Sequence, residues 1–224
     1  YSVFLFHLYL VVIYNVREIN LKLSVIIYKI NSKKNSDMKT LILLIDFNGH
    51  KILVDEYINK LRYSTLQQIV SDDSIDRNET VICSIGNSGI DLKLIEIKKM
   101  AVVDGWKWLE INDAMSSVET IEKLLKEKLN FYMNNTDTEI VIGGCNTSGC
   151  VLKSKMCSAK YFAEKNYKTT ILLPMCAEYS QHGINDIEKN MRAFGKVYTY
   201  IKNKKLNIDV VDDATKLRFI RVDK

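Results

Sequence analysis

Two side chains stand where they could do covalent chemistry together. Asp46 closes the apolar run KTLILLID, and Cys150 follows the glycine-bracketed loop Gly144-Cys-Asn-Thr-Ser-Gly149. A cysteine attacks as its thiolate, which needs a lowered pKa or a neighbouring base. Glu139–Gly143 is a β-branched apolar run closed by Gly143-Gly144, so an interior strand ending in a tight loop is expected. Beyond it Val151, Leu152, Met156, Ala159, Phe162 and Ala163 recur at steps of three and four, the stripe of a single helix. Asn166 offers that helix a left-handed stop before a strand at Thr169–Leu173. Cys150 is thereby expected in the first helical turn, where unpaired N–H groups and the positive dipole end favour an anion.

Plainer readings compete. Cysteine is often a packing residue, and Cys83, Cys157 and Cys176, each inside an apolar pattern, are read that way. Asp46 alone could equally be a turn or cap residue. The loop has the glycine separation of a phosphate-binding loop, but Cys150 and Val151 stand where Lys and Ser or Thr are required, so nucleotide binding is not expected. No metal is expected either, because His7, His50 and His182 are far apart and no Cys or His pair has zinc-site spacing.

The elements that must position these groups alternate. Lys39–Asp46 reads as a central parallel strand and Val54–Val70 as a helix with Val54, Tyr57, Ile58, Leu61, Leu66 and Ile69 in register. A strand at Glu79–Ile85, a turn at Gly86–Gly89, a short helix at Asp91–Met100 and a strand at Trp106–Ile111 follow. Ser116-Ser-Val-Glu119 reads as a capping box opening a helix through Leu129. His182–Phe194 is expected to be a helix and Lys196–Tyr200 a strand, with the tail from Asn207 ambiguous. This order predicts a three-layer α-β-α protein with a mainly parallel, doubly wound sheet that binds ligands at the carboxyl ends of its strands. Asp46 and Gly144–Cys150 both fall on that rim.

With 224 residues, 47% hydrophobic and 26% charged, the chain is ordinary globular material. Its net +5 divides into +3 on residues 1–37 and +2 on the remainder, and no basic stripe with interleaved aromatics suggests a nucleic-acid partner. Five cysteines without a paired framework fit a reducing, cytoplasmic setting. The opening run YSVFLFHLYLVVIYN is broken by His7 and falls short of the roughly twenty residues that span a bilayer. It also lacks a signal peptide's basic start and small-residue cleavage site. Residues 1–37 are therefore expected to be a leader outside the fold. A working domain at 38–224 would start at Met38 and have no membrane partner. The alternative for the leader is a membrane-surface anchor.

These residues resemble the isochorismatase-like cysteine hydrolase superfamily of nicotinamidases, N-carbamoyl amidohydrolases and isochorismatases. The similarity covers about Met38–Thr199. Leu43-Leu-Ile-Asp46 is similar to the family's opening strand and catalytic aspartate, and Gly144-Cys-Asn-Thr-Ser-Gly-Cys150-Val151 to its nucleophile loop. Ala159, Asn166-Tyr167, Ala177, His182, Met191 and Phe194-Gly195 fall at familiar intervals. The resemblance implies that Asp46 activates Cys150, that a thioester forms and is hydrolysed, and that no cofactor takes part. It implies a cis peptide at Cys145–Asn146, with the N–H groups of Asn146 and Cys150 holding the oxyanion. Thr147 and Asn48 join Asn146 as substrate-binding candidates, and self-association is expected.

The sequence departs from the family at its third catalytic position, a lysine at the end of the third strand. Asn112 occupies that place, and Lys107 is the nearest lysine on the strand. Pro174 stands where an aspartate is usual, and the metal motif of the nicotinamidase branch is absent. The first reading is a metal-independent cysteine hydrolase cleaving the C–N bond of a small amide or carbamoyl compound. The alternative is a scaffold of the same family with impaired catalysis, acting as a binding or interaction module. A vinyl-ether hydrolase is disfavoured, since that chemistry needs no cysteine at position 150.

Overall fold

The computed structural model describes residues 38–47, 56–86, 91–113, 116–154, 157–178 and 187–217, all within the unit Asp37–Lys224. The proposed leader, Asn48, His50 and His182 lie outside the described residues.

Six strands form one sheet: β1 (Lys39–Ile45), β2 (Thr80–Ile85), β3 (Lys107–Ile111), β4 (Thr138–Cys145), β5 (Lys168–Ala177) and β6 (Ile208–Val211). Their order is β3-β2-β1-β4-β5-β6, and all neighbours are parallel. The helices are α1 (Glu56–Val70), α2 (Leu92–Val103), α3 (Val118–Leu129), α4 (Ala159–Glu164) and α5 (Ile187–Lys204). Side chains of β1 alternate between two cores, as a strand covered on both faces must. Ile42 and Leu44 pack with Leu66 and Ile69 of α1 and Leu94 and Ile97 of α2. Leu41 and Leu43 join Ile121 and Leu125 of α3, Phe162 of α4 and Val197 of α5. The protein is a three-layer α-β-α structure with a doubly wound sheet, the architecture that the resemblance implies. None of the helices among the described residues is long and apolar enough to cross a membrane.

Three local expectations are corrected. Lys196–Tyr200 is helical, not a strand, and β6 comes instead from the ambiguous tail. Val197, Tyr198, Thr199 and Tyr200 favour strands locally, but Asn190, Ala193 and Val197 are buried at helical steps, so packing overrides propensity. The cap of α3 is Ser117, whose Oγ accepts the Thr120 N–H at 3.2 Å. Ser116 Oγ donates to the Asp113 carbonyl at 2.9 Å, and Glu119 pairs with Lys165. Finally, β5 runs through Pro174 to Ala177. Ile142 pairs with Ile171 and Gly144 with Cys176, so two steps along β4 face five along β5. That bulge holds Pro174, which has no N–H to give the ladder.

Candidate functional site

The chain builds outward from β1 through β2 to β3, then returns to the other side of β1 with β4. A crevice at the carboxyl ends of the strands is expected where the order reverses. Here that place is the β1–β4 seam, whose pairing runs as far as Ile45 with Gly144. Asp46 and Cys145 therefore leave neighbouring strands at the same level. Asp46 has φ 45°, and its N–H donates to the Ile85 carbonyl at 2.7 Å, which fixes its backbone against β2.

The two glycines lie inside β4 rather than in a loop beyond it, and close approach explains both. A Cβ on Gly144, which has φ +144°, would stand 1.9 Å from the Ile45 carbonyl oxygen, and one on Gly143 would stand 2.5 Å from Met175 Cβ. The Cys145–Asn146 peptide is cis. Thr147–Val151 then forms a π-helical turn, with the N–H groups of Gly149 and Val151 both donating to the Asn146 carbonyl at 3.1 Å. Cys150 sits in this turn and is exposed.

The single helix expected from Cys150 onward is interrupted. The Ser154 N–H reaches back to the Gly149 carbonyl at 3.1 Å, Ser158 Oγ donates to the Ser154 carbonyl at 2.7 Å, and α4 begins only at Ala159. Serine side chains that bond nearby backbone compete with helix continuation in this way. The sulfur is consequently not at the mouth of a long helix, and the dipole argument for a thiolate does not apply to it.

Glu178, just beyond β5, pins the turn from below. Its Oε2 accepts the Ser148 N–H at 3.1 Å and its Oε1 the Ser148 hydroxyl at 2.9 Å, while its own N–H donates to Asn190 Oδ1 at 2.7 Å. Sequence reasoning missed this residue because it ended the strand before Pro174. The Asn146 Oδ1 and Thr147 Oγ1 atoms are buried and make no hydrogen bond.

Arg62 was also missed, although it falls on the apolar stripe of α1 four residues from both Ile58 and Leu66. It is 1% exposed. Nη1 donates to Asn59 Oδ1 at 2.9 Å and Nη2 to the Phe47 carbonyl at 2.5 Å, and the guanidinium lies 4.4 Å from the centre of the Phe47 ring. It forms no ion pair among the described residues.

Burial pushes the Cys145 thiol up to about 11; the Arg62 cation opposes the shift, while Asp46, Cys150 and Glu178 add to it. Burial raises Cys157 and Cys176 to about 12 each, and Cys83 moves in the same direction for the same reason. Four thiols are thus buried and held protonated, whereas Cys150 is open to solvent.

The remaining candidates separate. Asn112 follows β3 directly on the carboxyl rim and is exposed. Lys107 starts β3 at the opposite end of the sheet, where its ammonium donates to the Asn78 carbonyl at 2.7 Å. The structure does not bring it to Cys150. Among the described residues no three metal-ligating side chains come together.

No protein-family model and no curated protein matches the chain. Solved structures do. A chain described as a MAR1 ribonuclease from Leishmania major is 11% identical at a TM-score of 0.47, covering 83% of this chain and 84% of its own. The MAR1 ribonuclease from Caenorhabditis elegans is 9% identical at 0.44, covering 74% of each chain. YcaC from Pseudomonas aeruginosa, solved with hexane-2,5-diol and covalent acrylamide, is 11% identical at 0.45, covering 80% of this chain and 77% of its own.

Proposed function

We propose that residues 38–224 form a metal-independent cysteine hydrolase that cleaves the C–N bond of a small amide or carbamoyl compound. The observation that carries this reading is an exposed Cys150 in the turn that follows β4, at the seam where Asp46 leaves β1. In the proposed reaction the Asp46 carboxylate takes the thiol proton and the sulfur attacks the carbonyl carbon. The N–H groups of Asn146 and Cys150 receive the developing oxyanion. The C–N bond breaks as Asp46 returns the proton to the departing nitrogen. Water, deprotonated by the same carboxylate, then attacks the thioester carbon, the C–S bond breaks, and the proton passes from Asp46 to the departing sulfur as the acid is released.

A second reading is favoured by one observation: the position that the resemblance gives to a catalytic lysine is neutral Asn112, and Lys107 is committed to Asn78. Arg62, whose charge acts on the Cys145 thiol, is a buried cation whose Nη2 is given to the Phe47 carbonyl. A scaffold lacking a rim cation would hold a small molecule without turning it over. Incubation with a panel of primary amides and N-carbamoyl compounds, with and without iodoacetamide, separates the two. The hydrolase releases ammonia or amine and loses that activity as Cys150 is alkylated. Slow alkylation at neutral pH with no release from any compound leaves the binding module.

A further inference from the structure

The outer surface of α2 is unlike the rest of the described surface. Eight large apolar side chains are exposed, and five of them, Leu92, Ile95, Met100, Val102 and Val103, belong to this one helix. Leu92 is 69% exposed and Val103 85%. The inward face needs only Leu94, Ile97 and Ala101. Several large apolar side chains exposed on one helix mark a surface that is ordinarily covered, and α3, whose outer positions include Glu119, Lys123, Lys126 and Glu127, shows what an uncovered helix of this protein looks like.

The arrangement along α2 says what covers it. Around a point between Ile97 and Lys98 three pairs of exposed residues match end for end, Leu92 with Val103, Ile95 with Met100, and Glu96 with Lys99, while Val102 falls opposite Lys93. We propose that a second copy of this chain lays its own α2 antiparallel on this one, across a two-fold axis through that point. The same patch then meets itself, as a two-fold interface requires. Leu92 meets the partner's Val103 at each end, and Glu96 meets the partner's Lys99 twice at the centre. The charges support this occupant. Glu96 and Lys99 are exposed and neither forms an ion pair among the described residues, whereas adjacent Lys98 turns inward to Glu110 at 2.7 Å. One helix pair covers less than the roughly 800 Å² per partner of a standard interface, so the dimer is concentration-dependent, with a Kd on the order of micromolar. This inference does not depend on the chemistry at Cys150.

Sedimentation equilibrium on the full chain, from about 1 to 200 μM to bracket that Kd, tests it. The apparent mass should rise from the chain's 25.9 kDa toward twice that value. Glu96→Lys or Lys99→Glu alone sets like charges opposite each other and should weaken association about tenfold or more, and the double exchange should restore it to within about threefold. Val103→Glu, at the most exposed of the apolar positions, should leave the circular dichroism melt unchanged while abolishing the dimer. A single mass across the whole range overturns the proposal. So does a dimer indifferent to the single reversals or to Val103→Glu, or a double exchange that fails to restore it.

Discussion

The two ends of the sheet use the same kinds of residue to opposite effect. At the amino ends, lysines tie strands to their surroundings: Lys39 to the Tyr132 carbonyl at 3.5 Å, Lys107 to the Asn78 carbonyl at 2.7 Å, and Lys168 to Glu139 at 2.7 Å. Glu139 is itself buried and also accepts the Thr170 hydroxyl. At the carboxyl ends, around the β1–β4 seam, the groups are a carboxylate, an open sulfur and a second carboxylate that holds the sulfur's turn in place. Unpartnered buried hydroxyls occur at both ends, Thr40 and Thr80 at one and Thr147 at the other. An orphaned hydroxyl therefore does not by itself mark a site. The distinguishing feature of the carboxyl end is a cysteine that solvent can reach, in the turn beside the seam where Asp46 leaves β1.

Substitutions can break that contrast. Cys150→Ser should reduce kcat/KM on a responsive amide by about a thousandfold or more, and native alkylation should fall from one equivalent to none, since the other four thiols are buried. Retained turnover in that variant would remove Cys150 from the mechanism. Asp46→Asn should cost about a hundredfold or more in turnover and slow alkylation of Cys150 at pH 7; an unchanged alkylation rate would show that Asp46 does not act on the thiol. Gly144→Ala drives a methyl into the Ile45 carbonyl and should lower stability by about 3 kcal/mol or more, read in a urea melt.

The buried thiols give a pH-dependent effect. Their folded pKa values lie above the ordinary 9.0, at about 11 for Cys145 and about 12 for Cys157 and Cys176. Their stabilisation is complete below pH 9 and is lost as pH rises through that window, because the unfolded thiols ionise first. Each should remove about 1.4 kcal/mol per pH unit above 9, so calorimetric melting temperatures should fall between pH 9 and 10.5. Smallest of all, Lys107→Met should leave turnover unchanged and stability within about 0.5 kcal/mol, whereas a marked loss of turnover would give the amino end a part in the chemistry.

What the sequence disclosed follows from burial. Strands covered on both faces are continuous apolar runs, so β1, β2 and β4 were legible to within a residue or two, and with them the rim carrying Asp46 and Cys150. The four-residue, half-exposed β6 has no such run. The β-branched and aromatic turn of α5 imitated a strand, since local preference cannot register what Ala193 and Val197 pack against. Arg62 was visible as a charge on an apolar stripe, but its bond to the Phe47 carbonyl is a tertiary fact. Glu178 depended on a strand continuing past proline, which the bulge alone permits.

The left-handed backbone at Asp46 has an evolutionary consequence. Asparagine and aspartate are the side chains, glycine aside, that occupy this region most readily. Exchange of acid for amide would keep the chain's path while deleting the charge. On the proposed mechanism, ancestors or descendants of this protein pass between processing a compound and merely retaining it by one substitution, without rebuilding the scaffold around it.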